Sequence, residues 1–209
     1  IHLGANPAFR PHSAQELAPA LARYHLAPGG YTLFVGTIEP RKNIDRLLSA
    51  YEGLPPALRQ RTPLVLAGGT GWRSEATHAH MARAAAAGWL YYLRYVPQAD
   101  LAALYAGARC FAYPSLYEGF GLPVAESLAY GKFCLAANSA SIPEVGGDLI
   151  EYLDPWDVPL WAERLRWYIE HPDALAAAEQ RILTHYQPAS WSACAASILG
   201  ASITRAHAA

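Results

Sequence analysis

Short runs of consecutive apolar residues alternate along this chain with longer segments in which apolar residues recur every three or four positions. The short runs are typical of strands buried on both faces of a parallel sheet, and the longer segments are typical of amphipathic helices. The predicted strands cover residues 31–35, 64–67, 89–93, 110–113, 133–137 and 149–153. The predicted helices cover residues 13–25, 44–54, 100–108, 123–130, 161–171, 173–186 and 190–207, with one more around residues 78–80. This order predicts an α/β fold, a Rossmann-like doubly wound parallel sheet with helices on both faces.

The loop after the fourth predicted strand is the most informative part of the chain. Its glycines favour a tight turn, Pro123 stands where a helix would begin, and Gly131 stands where that helix would end. In a parallel sheet this loop lies at the carboxyl end of its strand, where open α/β folds bind ligands and helix N-termini favour anions. Glu118 in the loop and Glu126 in the first helical turns suit hydroxyl groups, because an ionised carboxylate only accepts hydrogen bonds. Phosphates flanked by polyols, as in a nucleotide sugar, fit this arrangement.

Each part of this loop also has an ordinary structural interpretation. Glu126 could complement the helix dipole, Glu118 could be a common loop acid, and Gly119 and Gly121 could be turn glycines. Taken together, however, Glu118-Gly-Phe-Gly-Leu-Pro and Glu126 stand in register and resemble the Glu-x7-Glu segment of retaining glycosyltransferases of family 4. Enzymes of that family have the two-domain GT-B fold.

Two adjacent cations, Arg41 and Lys42, follow the first predicted strand and the glycine that ends it, Gly36. They could be a solvated charge pair. They precede a helix for which Asn43 is the predicted N-cap, and cations oppose the dipole there, so a bound diphosphate would explain them. The sequence Glu-Pro-Arg-Lys-Asn resembles the family motif whose Arg and Lys contact the donor diphosphate. Many relatives carry Arg directly after the glycine, where this chain has Thr37; if that Arg is needed, Arg41 must replace it.

Composition and spacing argue against several other functions. The chain has 209 residues and a formal net charge of −1, which disfavours nucleic acid as the main partner. Its three cysteines have no paired spacing and are interpreted as buried hydrophobic residues in a reducing compartment. The glycines of residues 68–71 do not form a dinucleotide fingerprint, and His78 and His80 are two residues apart, whereas paired metal ligands on a helix are usually four apart. We therefore expect no metal site.

The resemblance covers essentially the whole chain and implies a domain assignment. Residues 1–209 would be the nucleotide-sugar-binding C-terminal domain, with the interdomain crossover and first helix in 1–30 and a C-terminal helix in 188–209. The N-terminal acceptor domain would be absent, because the chain starts at Ile1 without a methionine and is expected to be a piece of a longer protein. The isolated domain is expected to be inactive.

The resemblance also implies an activity and roles for residues. The whole enzyme would transfer a hexose, with retained configuration, from a nucleoside diphosphate sugar to a polysaccharide or lipid-linked acceptor. The motif sequences are most similar to those of mannosyltransferases, which favours mannose as the hexose. Arg41 and Lys42 would stabilise the leaving diphosphate without a metal or other cofactor. Glu118 would bind hydroxyls of the donor sugar and complete this catalytic set. The donor-binding residues implied are Gly36, Thr37, Val96, Gly119, Phe120, Gly121, Leu122 and Glu126, the last on the ribose.

Some of these interpretations have alternatives. Val96 could be an ordinary residue at a strand end. A nucleotide-sugar 2-epimerase with the same architecture, or a non-catalytic nucleotide-binding module, would carry similar motifs. The expected partners are the nucleotide-sugar donor, the N-terminal domain and a glycan or lipid-linked acceptor, and no nucleic acid. The expected location is the cytoplasm, with peripheral association at the inner face of the membrane through the N-terminal domain.

Overall fold

The computed structural model describes residues 13–188, together with residues 192, 194–196 and 199. In this part of the chain the strands are β1 (Thr32–Val35), β2 (Leu64–Ala67), β3 (Leu90–Arg94), β4 (Cys110–Tyr113), β5 (Cys134–Ala137) and β6 (Glu151–Leu153). The α-helices are α1 (Ala14–Ala22), α2 (Ile44–Glu52), α3 (Pro56–Arg61), α4 (Glu75–Ala86), α5 (Gln98–Gly107), α6 (Leu122–Ala129), α7 (Ile142–Gly146), α8 (Val158–Glu170) and α9 (Pro172–His185). A short 3-10 helix spans Pro40–Lys42.

The strands form one parallel sheet in the order β3-β2-β1-β4-β5-β6. The chain starts in the middle, adds β2 and β3 on one side, and then returns to add β4, β5 and β6 on the other. The strand order therefore reverses between β1 and β4, the position in open α/β sheets where ligands bind at the carboxyl ends of the strands. This confirms the predicted doubly wound α/β fold.

The core lies on both sides of the central strands. Leu33 and Phe34 of β1 are completely buried, and Leu47, Leu48 and Tyr51, on the predicted face of α2, are buried in the same core. The buried residues of β1, β2 and β4 follow one another without exposed positions between them, because helices shield both faces of a parallel sheet.

A group of stacked aromatic rings supports the carboxyl ends of β1 and β4. The ring of Tyr113 lies 5.8 Å from that of Phe34 and 5.6 Å from that of Phe111. Tyr105 of α5 packs against Phe111 at 5.2 Å. These packed rings lie at the base of the loops that carry the candidate site.

The structure differs from the sequence prediction in three helical segments. The short helix α3 buries only Leu58 and so has no periodic apolar pattern to reveal it. The 3-10 helix Pro40–Lys42 is likewise too short to predict. Helix α8 begins three residues before the predicted position, because the side chain of Asp157 accepts a hydrogen bond from the backbone N–H of Leu160 at 3.0 Å.

The two ends of the chain are described only in part. Of the predicted helix 190–207, residues 192, 194–196 and 199 are helical and the rest lies outside the described residues. The first part of the predicted crossover, residues 1–12, also lies outside them. Among the described helices, none combines the length and the apolar character needed to span a bilayer.

Candidate functional site

The loops that follow β1 and β4 are hydrogen-bonded to each other at the carboxyl edge of the sheet. The backbone N–H of Leu116 donates to the carbonyl of Arg41 at 2.7 Å, and the hydroxyl oxygen of Ser115 lies 3.1 Å from the same carbonyl oxygen. The side-chain amide of Asn43 donates to the carbonyl of Pro114 at 3.1 Å. These contacts fix the predicted diphosphate-binding segment against the glycine loop.

Asn43 precedes α2 as predicted, but its side chain does not cap the helix. Its backbone is left-handed, with φ 58°, a conformation that Asn tolerates better than most residues. The amide nitrogen donates to the carbonyls of Pro114 and Pro155, and the amide oxygen accepts from Arg46. Asn43 is therefore the N-cap residue by position, as predicted, but its side chain joins three loops instead of capping the helix.

Glu118 is the centre of the polar network in this region. Only 8% of the residue is exposed. Its Oε1 accepts hydrogen bonds from Lys42 Nζ at 2.6 Å, from the hydroxyl of Ser115 at 2.6 Å and from the hydroxyl of Tyr113 at 2.8 Å. Its Oε2 accepts from Arg41 Nη1 at 2.9 Å. Burial would raise the pKa of Glu118, but the hydrogen bonds from Lys42 and Ser115 outweigh it and lower the pKa, so the carboxylate is ionised at neutral pH.

The two predicted diphosphate ligands share this carboxylate. Lys42 is almost fully buried and also donates to the hydroxyl of Tyr113 at 2.7 Å. Burial lowers the pKa of the Lys42 ammonium in spite of its hydrogen bond to Glu118. Arg41 is more exposed and also pairs with Glu39 at 2.6 Å.

This pairing changes the interpretation of the two cations. From the sequence alone, a bound diphosphate would explain cations placed before α2. In the structure they lie on the 3-10 helix and are paired with two carboxylates, those of Glu39 and Glu118. Their positions are therefore already explained within the protein, and the four charges sum to zero.

A cleft of about 570 Å³ opens beside this network at the start of α6. Gly121, which immediately precedes α6, has φ 97°, a backbone conformation that requires glycine there. The structure thus brings together one predicted cation, the predicted loop carboxylate and the predicted glycine loop. The residues that line the cleft are Lys42, Glu118, Gly119, Phe120, Gly121, Leu122 and Pro123.

Glu126 lies in α6 beyond its first turn, where the effect of the helix dipole is small. The hydroxyl of Tyr105 donates to its Oε2 at 2.8 Å. Burial raises the pKa of Glu126, and the hydrogen bond from Tyr105 opposes this shift only in part. Among the described residues it takes part in no ion pair, so its environment is the opposite of that of Glu118.

The remaining predicted residues do not line the 570 Å³ cleft. A Cβ added to Gly36 would lie 3.5 Å from Lys42 Cε, so this glycine lies directly beside the buried ammonium. Thr37 is exposed on the same loop, and Val96 is buried after β3 as part of the hydrophobic core. The predicted residues outside the lining are Gly36, Thr37, Arg41, Val96 and Glu126.

The sequence analysis missed three hydroxyl groups that hold the carboxylates. Tyr113 and Ser115 both bind Glu118, and their places just before the glycine loop were a usable signal. Tyr105 binds Glu126 from a different helix, α5, 21 residues away in the sequence.

No metal centre was found in the described part of the chain, where no group of three or more His, Cys, Asp or Glu residues could hold an ion. His80 instead lies between two acids of α2, with Nδ1 3.3 Å from Asp45 and Nε2 3.1 Å from Glu52. These contacts join α4 to α2.

Comparisons with known proteins agree with the motifs. Residues 27–182 match the family described as glycosyl transferases group 1. The chain is 40% identical over 199 residues to O-antigen chain mannosyltransferase B of Escherichia coli, an alignment that covers 95% of this chain and 52% of that protein.

Solved structures share the fold at low sequence identity. WaaG, a glycosyltransferase involved in lipopolysaccharide biosynthesis, superimposes with a TM-score of 0.75 at 18% identity, covering 87% of this chain and 50% of that one. Alr3699/HepE of Anabaena, in complex with UDP and glucose, gives a TM-score of 0.71 at 19% identity, with 83% and 47% covered. The chain thus spans about half the length of the mannosyltransferase and of both structures.

Proposed function

Because this chain belongs to the glycosyl transferases group 1 family, we propose that it is the donor-binding half of a mannosyltransferase. The whole protein would transfer mannose, with retained configuration, from a nucleoside diphosphate sugar to a polysaccharide or lipid-linked acceptor. The name of the 40% identical relative supports mannose and a surface polysaccharide, and the Anabaena complex with UDP and glucose supports a nucleotide sugar. We place this reaction at the cytoplasmic face of the membrane.

The observation that carries the proposal is the network of Glu118, Lys42 and Arg41 at the edge of the glycine-loop cleft. When a sugar leaves its donor, negative charge develops on the diphosphate. Two positioned cations, with the amides at the start of α6, would stabilise that charge in a partly desolvated site. We propose that this arrangement does the work of a metal ion, so that none is needed.

The donor would have to share these cations with the carboxylates that hold them. Arg41 and Lys42 are paired with Glu39 and Glu118, so a diphosphate competes with two internal anions. Sugar hydroxyls, in contrast, are donors and would add to Glu118 without competing with it for positive charge. Glu118 would therefore favour a donor that still carries its sugar over the bare diphosphate product, which would help product release.

Glu126 would bind the ribose. One of its oxygens is held by Tyr105, and the other would accept from a ribose hydroxyl. Gly36 and Thr37 would bring the backbone close to the phosphates beside Lys42, and Arg41 would take the place of the arginine that many relatives have at the position of Thr37. Val96 would contact the base.

Calorimetry on this chain would test the donor site directly. Lys42→Ala and Arg41→Ala should weaken binding of a nucleoside diphosphate by about 1.5–3 kcal/mol, roughly ten- to a hundred-fold, and leave nucleoside binding nearly unchanged. The matched control is Lys132→Ala, since Lys132 is the only other lysine and pairs with Glu179. Equal losses for nucleoside and diphosphate, or an equal loss in the control, would contradict the assignment.

The activity itself needs the full-length protein. Transfer should require an acceptor and persist in excess chelator. Conversion of the donor sugar without any acceptor would instead indicate an epimerase, and full dependence on a divalent cation would overturn the metal-independent mechanism.

A further inference from the structure

A second cleft, of about 450 Å³, lies at the same edge of the sheet beside the loops that follow β5 and β6. We call it the Trp156 pocket. It borders the loop between Tyr113 and Glu118 through Leu116 but shares no lining residue with the donor cleft. The residues that line it are Leu116, Asn138, Ser139, Tyr152, Asp154, Pro155 and Trp156.

Trp156 is the unusual member of this pocket, because 58% of it is exposed and yet its position is fixed. The guanidinium of Arg46 lies 4.0 Å from the ring centroid. The backbone N–H of Trp156 donates to Asp154 Oδ1 at 2.8 Å, and the preceding carbonyl, of Pro155, accepts from Asn43 at 2.8 Å. An aromatic surface that is both exposed and held in place is prepared for a ligand, since little side-chain freedom remains to be lost on binding.

The polar groups of the pocket suit a neutral ligand rich in hydroxyls. Asn138 is exposed and offers an amide donor and acceptor. Asp154 uses Oδ1 for the backbone of Trp156, which leaves Oδ2 to accept. The Ser139 hydroxyl donates to the carbonyl of Ser115, so its oxygen also accepts. No Lys or Arg is among the described residues that line the pocket, and the carboxylate of Asp154 disfavours an anion.

A hexopyranose has the matching chemistry. Its C–H bonds form an apolar face that packs on an aromatic ring, and its rim of hydroxyls pairs with planar amide and carboxylate groups. A volume of about 450 Å³ is within the range of small-molecule sites and accommodates one or two such units.

We propose that the Trp156 pocket binds a neutral hexose unit of the glycan acceptor, beside the loop that also carries Glu118 of the donor cleft. The assignment of this sugar to the acceptor rests on the proposed function. A growing polysaccharide has many equivalent units, and a second contact away from the reacting end would hold the acceptor near the donor-binding half between transfers.

NMR titration of this chain, following the tryptophan indole N–H signals, tests the proposal. An α-linked mannobiose should shift the Trp156 signal saturably at millimolar concentration, and Asn138→Ala should weaken this binding at least five-fold. Trp156→Ala removes the signal itself, so its binding is measured by calorimetry and should also be at least five-fold weaker. The matched control is Trp72→Ala, which removes an equally exposed tryptophan (57%) from the loop after β2 and should leave the affinity unchanged. An acidic sugar, glucuronate, should not bind.

Several outcomes would overturn the proposal. They are the absence of any saturable shift in the wild-type protein, mannobiose binding that is unchanged in Trp156→Ala, and tighter binding of glucuronate than of mannobiose. A parallel titration with nucleoside diphosphates separates this proposal from the proposed function. If wild-type protein binds nucleotide but no mannobiose, only the pocket assignment fails; if mannobiose binds but no nucleotide does, the donor-site assignment fails.

Discussion

Glu118 and Glu126 lie eight residues apart in one strand–loop–helix unit, and the protein treats their charges in opposite ways. Glu118 is surrounded by four donors, two of them cations, and its pKa is lowered. Among the described residues Glu126 has a single donor, the hydroxyl of Tyr105, and burial raises its pKa. The same residue type therefore serves two purposes, according to what the fold places around it.

The two carboxylates differ in whether their strongest interactions are made within the protein or remain available to a ligand. Glu118 forms its strong interactions within the protein, because it neutralises Lys42 and Arg41 and holds them in place. Glu126 is partly desolvated and, in the described part of the chain, has no cation beside it to offset the cost of burial. Hydrogen bonds from the hydroxyls of a ligand should therefore stabilise it more than they would stabilise Glu118. We expect substitutions of Glu118 to act mainly on stability and those of Glu126 to act mainly on ligand affinity.

The largest effect should come from removing the charge of Glu118. Glu118→Gln leaves the buried ammonium of Lys42 without its counter-ion, which should cost about 2–3 kcal/mol of the free energy of unfolding. Urea denaturation of both proteins measures this loss. Glu144→Gln, at an exposed position in α7, is the control and should change stability by less than about 0.5 kcal/mol. A silent Glu118→Gln would mean that the ion pair does not stabilise the fold.

The two carboxylates should also differ in the sign of their effect on ligand binding. Glu118→Gln removes an anion that competes for Lys42 and should tighten binding of a bare nucleoside diphosphate several-fold. Glu126→Gln should weaken it by about 1 kcal/mol, roughly five-fold, since an amide accepts hydroxyl hydrogen bonds less strongly. Calorimetry with both variants measures the change in nucleotide affinity. A change in the same direction for both variants would contradict the different roles proposed for the two carboxylates.

Tyr113→Phe sharpens the comparison with a smaller change. The hydroxyl accepts from Lys42 and donates to Glu118, so its loss should cost about 1–1.5 kcal/mol of stability and weaken diphosphate binding two- to five-fold. Tyr31→Phe removes an equally buried hydroxyl, bonded to the Leu104 carbonyl at 2.7 Å, and should lower stability without affecting binding. Equal binding losses in both variants would indicate a general effect of unfolding.

The smallest effect is a dependence of stability on pH with opposite signs at the two sites. The pKa of Glu118 is lowered in the folded protein, so its contribution is present above the ordinary value of 4.5 and is lost as pH falls through the lowered pKa. The pKa of Glu126 is raised, so its ionisation opposes folding above that raised pKa, and the cost disappears as pH falls towards 4.5.

Unfolding free energies measured between pH 7 and pH 3 test these signs. Glu126→Gln should be slightly more stable than wild type at pH 7 and equal to it in acid. Glu118→Gln should be less stable at pH 7, and the difference should shrink in acid. A Glu126→Gln variant that is less stable at pH 7 would contradict the interpretation of its burial.

The strands and the glycine loop could be predicted from the sequence because their signals are local. Four consecutive apolar residues, as in Leu64–Ala67, indicate a strand that is buried on both faces. The glycine at position 121 indicates a left-handed backbone at that position. The doubly wound α/β class followed from the alternation of strands and helices. These features depend on neighbours in the chain.

Only the tertiary structure decided the electrostatics of the site. Lys42 and Glu118 are 76 residues apart, and Tyr105 and Glu126 are 21 apart on different helices. Nothing near Lys42 in sequence shows that a carboxylate from the loop after β4 will neutralise it. A buried charge is stabilised or destabilised by whatever lies within a few ångströms, and the reversal of strand order between β1 and β4 is what brings those groups together.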